Sequence, residues 1–477
     1  MEKELKILEA AHRAWSALSN TRSRRSRYLR FAYGDQWSDP ARLRNGQAAT
    51  EGEAMEENGH LPLTNNLIRR MIKTVIGRWR LDRGRERERE AEIEPAFEAM
   101  KRMNSLDELD ARTLEEFLIS GMAIHHVWPD RRHGGEGVWV DNVAPDRFFI
   151  SGVGDARGNS TELIGRLIDM SLGEVMMRYA KGDVRRASEI RQLMATMQTT
   201  VLPPLGQPMG AVDFYQASEG RCRLIEVWTL ECQPRLLCHD PMTASVFTAD
   251  ATTGRRKIER LNRQRRKEGQ KAIAMRWEMA TTWRCRILAP DGTVLDSYNS
   301  PLKCGAHPFA VKLYPMVDGD VHSLVEDVVD QQKHVNRLLT MMDRMMSTAA
   351  KGVLLFPQAG KADHMTWDDV TSMWSDPGGV IPYKSGTWGE PHQVVTPVGD
   401  LGANALLHTQ LQMFQDVSGV NDALMGKARS ASVGADRYNM EVENASVVVL
   451  DLLETYRDFT RRRDELISNL LRKTSES

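Results

Sequence analysis

The chain has 477 residues, with 64 Lys and Arg against 65 Asp and Glu, so its formal net charge is −1. That balance excludes a protein that grips DNA by bulk positive charge, and an acidic disordered tail protein. A hydrophobic share of 41% and 11 tryptophans exclude a wholly disordered chain, and roughly 150 residues per domain predicts about three domains or modules.

No run reaches the roughly 18 consecutive apolar residues of a membrane span. The charged start, Met1-Glu2-Lys3-Glu4-Leu5-Lys6, lacks a signal-peptide core. Cys222, Cys232, Cys238, Cys285 and Cys304 form no C-x-x-C pair. They predict a reducing, intracellular setting in which cysteines serve as small buried residues.

Leu5, Leu8, Ala11, Trp15 and Leu18 recur at helical spacing and predict one amphipathic helix over 3–31. Its second half carries Arg22, Arg24, Arg25, Arg27 and Arg30, interleaved with Tyr28 and Phe31, before Gly34 and Pro40 end it. Residues 41–60 read as an exposed loop. A helix then starts near Leu63, capped by Thr64 or Asn65, and runs through Ile68, Met71, Ile72, Val75 and Ile76. Residues 85–94 alternate Arg and Glu, which fits an extended strand with oppositely charged faces, or a salt-bridged solvated helix. Helices follow over 95–103 and 107–120. A hairpin around Gly134-Gly135 joins Ile124–Trp128 to Gly137–Val143.

Residues 171–200 read as helix, and the Pro- and Gly-rich stretch 203–210 as a linker. Arg223–Cys232 reads as a strand paired with Arg235–Phe247. Residues 255–271 hold nine cations against two glutamates, a net +7 on an exposed helix. Ala272–Leu288 and Thr293–Tyr298 flank Asp291-Gly292, a hairpin signal. A central helix covers 321–348, its Met342, Met345 and Met346 read as flexible packing. Residues 316–330 carry Asp318, Asp320, Glu326, Asp327 and Asp330 without a cation, a net −5. Val353–Phe356 and Val380–Tyr383 are candidate strands. Helices over 399–417 and 435–472 flank Ser418–Gly434, a loop rich in Gly, Ser and Asn.

Catalytic motifs are missing from the sequence. Gly360-Lys361 and Gly426-Lys427 are each followed by Ala, and Leu355 and Asn421 stand where a P-loop has its first glycine. There is no G-x-S-x-G and no H-E-x-x-H. His125 and His126 are adjacent on a strand and point to opposite faces, so a metal would use only one of them. Asp368-Asp369 stands at a helix start, where negative charge suits the dipole. An enzyme is not expected.

Four groups of residues together resemble the portal proteins of tailed bacteriophages, of the podovirus P22-like type. The first is Tyr28 through Gly34-Asp35-Gln36-Trp37, followed by Pro62-Leu63-Thr64-Asn65-Asn66-Leu67 and a helix to Gly77. The second is Glu226-Val227-Trp228. The third is His307-Pro308-Phe309, Tyr314-Pro315, Gly319, Asp330-Gln331-Gln332 and Asn336. The fourth is Ser418-Gly419-Val420, Gly426 and Ser430–Ala435. The ordered set spans about 28–450.

The resemblance implies an α+β, mostly helical portal fold with small β-rich wing and clip regions, long stem and wing helices, and assembly into a ring. Its parts fall as 1–253 wing, 254–271 descending stem, 272–305 clip, 306–348 ascending stem, and 349–434 wing return with a tunnel loop near 420–434. The C-terminal helix takes 435–477, with a short or absent crown. It also implies a homo-oligomer, typically a dodecamer, at one vertex of the virion capsid, assembled in the host cytoplasm. Double-stranded DNA would pass its channel. The terminase large subunit, head-tail adaptor proteins, and major capsid and scaffolding proteins would be its partners, with no membrane and no cofactor. Lys427 and Arg429 are the candidate channel residues. Arg263, Arg266, Lys267, Arg284 and Arg286 are candidate contacts to motor or adaptor. Asp327, Asp330, Arg337 and Arg344 are candidate subunit-interface residues. Two other classes compete: a sequence-independent DNA-binding protein using Arg22–Arg30 and 255–271, and a metal-dependent nuclease.

Overall fold

The computed structural model describes residues 2–87, 95–132, 135–152, 160–200, 212–250, 253–302, 306–314, 316–317, 320–351, 353–376, 379–386, 389–394, 402–420, 424 and 435–475. In place of one helix over 3–31 the chain forms α1 (Glu2–Ala17) and α2 (Ser19–Tyr33). The break has a local cause. The Trp15 carbonyl accepts from the Leu18 N–H at 3.2 Å and from the Arg22 guanidinium at 2.5 Å, so it is diverted from continuing the helix. The expected loop 41–60 instead holds β1 (Pro40–Arg42), paired antiparallel with β2 (Ala48–Thr50), and α3 (Glu51–Glu57). Thr50 and Glu53 cap α3 reciprocally, a Thr-x-x-Glu signal that the polar composition hid.

Helix α4 (Leu67–Arg87) starts later than expected. Its cap is Asn66, whose Oδ1 accepts from the Arg69 N–H at 2.9 Å, and not Thr64 or Asn65. Residues 85–87 are therefore helical and not a strand, and 88–94 lie outside the described residues. Next come α5 (Pro95–Met103), α6 (Leu106–Ser120), β3 (Met122–Arg132), β4 (Gly135–Asn142), β5 (Phe148–Ile150) and β6 (Leu163–Met170). The helix expected over 171–200 is split into α7 (Leu172–Tyr179) and α8 (Val184–Thr200) by the left-handed pair Lys181-Gly182. The linker 203–210 lies outside the described residues.

Residues 223–247 do not fold back near Pro234. Strand β7 (Cys222–Asp240) is continuous, and its partner is β8 (Ser245–Asp250). Pro234 is tolerated because β6 ends opposite Thr229 and β8 begins opposite Arg235, so only one neighbour flanks it. Then follow α9 (Thr253–Lys267), β9 (Ala274–Leu288), β10 (Val294–Asn299), β11 (Phe309–Leu313), β12 (Met316–Val317), β13 (Asp320–Val321) and α10 (Leu324–Lys351). The last elements are β14 (Val353–Leu355), α11 (Trp367–Ser375), β15 (His392–Val394), α12 (Ala403–Ser418) and α13 (Ala435–Ser475). β14 pairs with β15 and not with 380–383, where Tyr383 makes only a single bridge to Lys361. Thr366 and Asp369 cap α11, which accounts for Asp368-Asp369.

Two compact units result: Met1–Arg25, Arg80–Ser323 and Asp451–Ser477 in the first, Ser26–Trp79 and Leu324–Leu450 in the second. The first is more β-rich than expected. It has a six-stranded antiparallel sheet, ordered β10-β9-β7-β6-β5 with β8 beside β7, and a three-stranded sheet β11-β3-β4. Met122, Ile124, Phe148, Ile164, Trp228, Cys285 and Phe309 share one core cluster of this unit. Gly121 ends α6 at φ +72°, and a Cβ there would lie 2.2 Å from the His322 carbonyl oxygen and 2.6 Å from that of Tyr314. Gly121→Ala is expected to lose about 2–4 kcal/mol in urea unfolding, because both strain and overlap must be relieved. In the second unit, α4 buries Ile68, Met71, Ile72 and Val75, while α10 buries Val325, Val328, Val329 and Val335. The first set keeps the three-and-four spacing of one helix face, and on α10 the buried Gln332 continues it between Val329 and Val335. Cys222, Cys238 and Cys285 are buried as expected, Cys232 is exposed, and Cys304 lies outside the described residues. Among the described residues no helix is long and apolar enough to cross a membrane.

Candidate assembly and docking surfaces

Among the described residues, several of those that carried the resemblance take part in internal locks; Pro315, Gly319, Gly426 and 430–434 lie outside the described residues. In the second unit, Gln332 of α10 reaches the segment before α4. Its Oε1 accepts from the Leu67 and Ile68 N–H groups at 2.9 and 3.3 Å, and its Nε2 donates to the Asn65 carbonyl at 2.7 Å. Asn336 lies one turn on. Its Oδ1 accepts from the Asn65 N–H at 3.0 Å, and its Nδ2 donates to Gln36 Oε1 at 2.5 Å. Thr340, a further turn on, accepts from the Leu63 N–H at 3.1 Å. Leu67 and Ile68 begin α4, so Gln332 satisfies N–H groups that a helix start leaves orphaned. Lys333 adds ion pairs to Asp39 at 2.8 Å and Glu51 at 2.7 Å. Elsewhere in this unit, Gly419 caps α12 at φ +67° and the Ser418 Oγ accepts from the Val420 N–H at 3.2 Å.

In the first unit, Glu226 is buried on β7. It accepts from Arg166 Nε at 2.7 Å, Trp228 Nε1 at 2.8 Å and His126 Nε2 at 3.1 Å. Burial alone would raise its carboxyl, but Arg166 and His126 outweigh that and hold it well below the usual carboxylate range. Burial pushes His126 down, so its contact is a hydrogen bond from the neutral ring. His125 faces the other way, 2.8 Å from the Thr113 hydroxyl, as adjacent strand positions require. His307 packs edge-on to Trp283, with ring centres 5.0 Å apart.

Asp141 joins the same network through Arg132 at 2.6 Å and Arg166 at 3.3 Å. Burial would raise its pKa, yet the Arg132 hydrogen bond and the two guanidinium charges bring it to about 2. A depressed carboxylate contributes stability above its unfolded pKa and loses it as pH falls through the folded value. Asp141→Asn is therefore expected to cost about 2 kcal/mol at neutral pH. The difference from the parent should vanish as pH falls from about 4 to 2, read by urea unfolding at each pH.

The outward face of α10 has a different character. Asp327, Asp330, His334, Arg337, Met341 and Arg344 are all exposed and recur at alternating spacings of three and four. One continuous stripe results, acidic at the helix N-terminus and basic toward the C-terminus, the polarity that suits the helix dipole. All four candidate interface residues stand on it. Arg337 also reaches Glu51 at 3.3 Å, and Arg344 the Asn58 carbonyl at 3.2 Å. The methionines are not wholly packed: Met341 and Met346 are 45% and 63% exposed.

The five candidate docking residues separate. Arg263, Arg266 and Lys267 are exposed on α9, which packs through Ile258, Asn262 and Arg265. Arg284 is half-buried beside Ser297. Arg286 is a correction: it is 4% exposed and bonds Thr229 at 2.9 Å and Glu231 at 2.5 Å. Its guanidinium is therefore engaged by residues of its own chain. Lys427 and Arg429 lie outside the described residues.

Compared with family descriptions, residues 8–473 match the phage P22-like portal proteins. The chain belongs to the P22-like portal family. Among curated proteins it has no match. The portal family is a structural one, and the locks hold together elements within each unit. Among the described residues no cluster of His, Cys, Asp or Glu is arranged to hold a metal. The basic patch at Arg22–Arg30 is not a free DNA-binding face. Arg22 stacks on Trp15, Arg24 pairs with Asp320, Arg25 with Glu116 and Asp146, and Arg27 with Asp39. Sequence reasoning missed His334 and Met341, although the spacing of their charged neighbours marked the same face. It also missed the buried pair Asp110–Arg463, for which no local signal exists.

Proposed function

We propose that this portal-family chain closes into a ring at one capsid vertex and conducts double-stranded DNA during packaging and ejection. The terminase large subunit would dock on the ring first and head-tail adaptors afterwards, with major capsid and scaffolding proteins around it. The observation that carries this reading is the family match, which covers 8–473. The polar stripe on α10 supports it, since a ring needs heterologous faces that close by rotation. In this reading 254–271 and 306–348 serve as stem, 272–305 as clip, and 420–434 as tunnel loop with Lys427 and Arg429 toward DNA. Few cations should face the lumen, because each neutralised phosphate tightens binding and slows sliding.

Electron microscopy of the purified full chain, with mass by light scattering, tests the assembly. A ring with an axial channel, typically of twelve copies, is expected. A monomer at every concentration overturns it. For the tunnel loop, Lys427→Ala with Arg429→Ala is expected to change packaging or retention of DNA; unchanged values of both would remove that role.

A further inference from the structure

The segment 232–281 forms a small module with one unfinished side. β8, the outer half of β7 and the first half of β9 make three antiparallel strands. Leu236 lies opposite both Ala249 and Trp277, and Cys238 opposite both Phe247 and Met275. Directly opposed residues share a face, so Met275 and Trp277 stand on the face of Leu236 and Cys238. Helix α9 covers the middle of that face: Ile258 and Ile273 bury Leu236 and Cys238 to 2% and 0% exposure. Asn262 exchanges two hydrogen bonds with Ile273, at 3.0 and 2.8 Å, and Arg265 forks onto Asp240 with both contacts at 2.7 Å.

What the helix leaves open is the β9 edge. β10 pairs with β9 only over Arg284–Leu288, so among the described residues no strand flanks Ala274–Thr281 on that side. Along this edge Met275, Trp277 and Met279 are 38%, 51% and 64% exposed, a row of large apolar side chains at the two-residue period. On α9 itself, Arg256, Lys257, Arg260, Arg263, Arg266 and Lys267 are exposed, and among the described residues none pairs with a carboxylate. Arg255 lies 5.9 Å from the Trp277 ring centre, which brings the cationic helix up to the edge.

We propose that the β9 edge takes an extended, acidic segment of another protein as an added strand. Its backbone completes the hydrogen bonds of Ala274–Thr281, its apolar side chains cover Met275, Trp277 and Met279, and its carboxylates meet the α9 cations. This deepens the docking role proposed above and rests on it for the nature of the partner. Charge selects the occupant: two such modules carry like charge and repel, so a second copy of the module is disfavoured. A nucleic acid would answer the cations but would leave the strand edge and its apolar row unsatisfied.

The probe is a fluorescent octapeptide alternating Asp or Glu with Val, titrated with the full chain and followed by anisotropy. Binding is expected. N-methylation of alternate peptide nitrogens, which blocks strand addition and keeps the charge, should weaken it about tenfold or more, as should Trp277→Glu or Arg263→Glu with Arg266→Glu. These positions are exposed, and far-ultraviolet circular dichroism confirms that each variant folds. Equal binding of the N-methylated peptide, absence of binding, or displacement by a short DNA duplex at lower concentration would overturn the proposal. Ring formation is read separately: a ring that ignores the peptide sinks this inference alone, and a monomer that binds it sinks the ring alone.

Discussion

Replacing Arg463 by Met is expected to lower the stability of the chain by about 3–5 kcal/mol. Arg463 lies on α13, and its side chain is 1% exposed against 2% for Asp110 on α6. Its Nη1 contacts Asp110 directly, while Nε and Nη2 bond Asp464 at 2.9 and 2.7 Å. Burial opposes the guanidinium charge, but Asp110 and Asp464 outweigh it and hold its pKa above the ordinary arginine value. Burial also pushes the Asp110 carboxyl up, so this carboxylate stays charged only while Arg463 faces it. Removing the cation leaves a buried carboxyl with no counter-charge, which must either bear the desolvation of its charge or take up a proton, and that is the main cost. The Tyr456 hydroxyl, which donates to the Asp110 carbonyl at 2.6 Å, would lose its alignment too. Urea unfolding followed by tryptophan fluorescence measures the loss. Asp110→Leu combined with Arg463→Met should recover most of it, because neither charge then remains. A single-variant loss below about 1 kcal/mol would mean that water reaches the pair.

Reversing Asp327 and Asp330 to Lys is expected to abolish the ring while leaving a folded subunit. Both are exposed in the first two turns of α10. Cations there oppose the helix dipole, which costs only about 0.3–1 kcal/mol per residue. Assembly suffers far more. In the proposed ring the same contact would repeat at every interface, like charges brought together across it would repel strongly, and closure would need all interfaces at once. Light scattering is expected to show subunits in place of rings, with circular dichroism unchanged. Rings of undiminished yield would remove the acidic end of the stripe from the interface. Arg337 and Arg344 bond Glu51 and Asn58 of their own unit, so reversing them would also remove those contacts.

Most elements were legible in the sequence because their causes are local. Helical spacing, the Asp291-Gly292 turn and the apolar alternation around Gly135 depend on residues a few positions apart. The errors have local causes too, masked by composition. A Thr-x-x-Glu cap lay in a stretch read as loop, and the Trp15 carbonyl was diverted within a helical pattern. The α10 stripe was readable in part, since four charges at one period mark a face whatever packs behind it.

By itself, then, the sequence determined the α+β class, the helices and hairpins, the portal resemblance and the basic and acidic blocks. Only the tertiary structure decided what those residues do. Gln36, Asn65, Gln332 and Asn336 are far apart in the chain, yet they become one buried hydrogen-bonded lock. Arg263 and Arg286 are the same residue type in neighbouring segments, but one faces water from a helix and the other bonds Glu231 inside a sheet. Pairing β7 with β6, β8 and β9, and leaving Ala274–Thr281 without a neighbour, is likewise a long-range outcome. The physical reason is common to all three. Burial and strand register depend on which distant segments bring apolar area and backbone partners, and no local pattern carries that information.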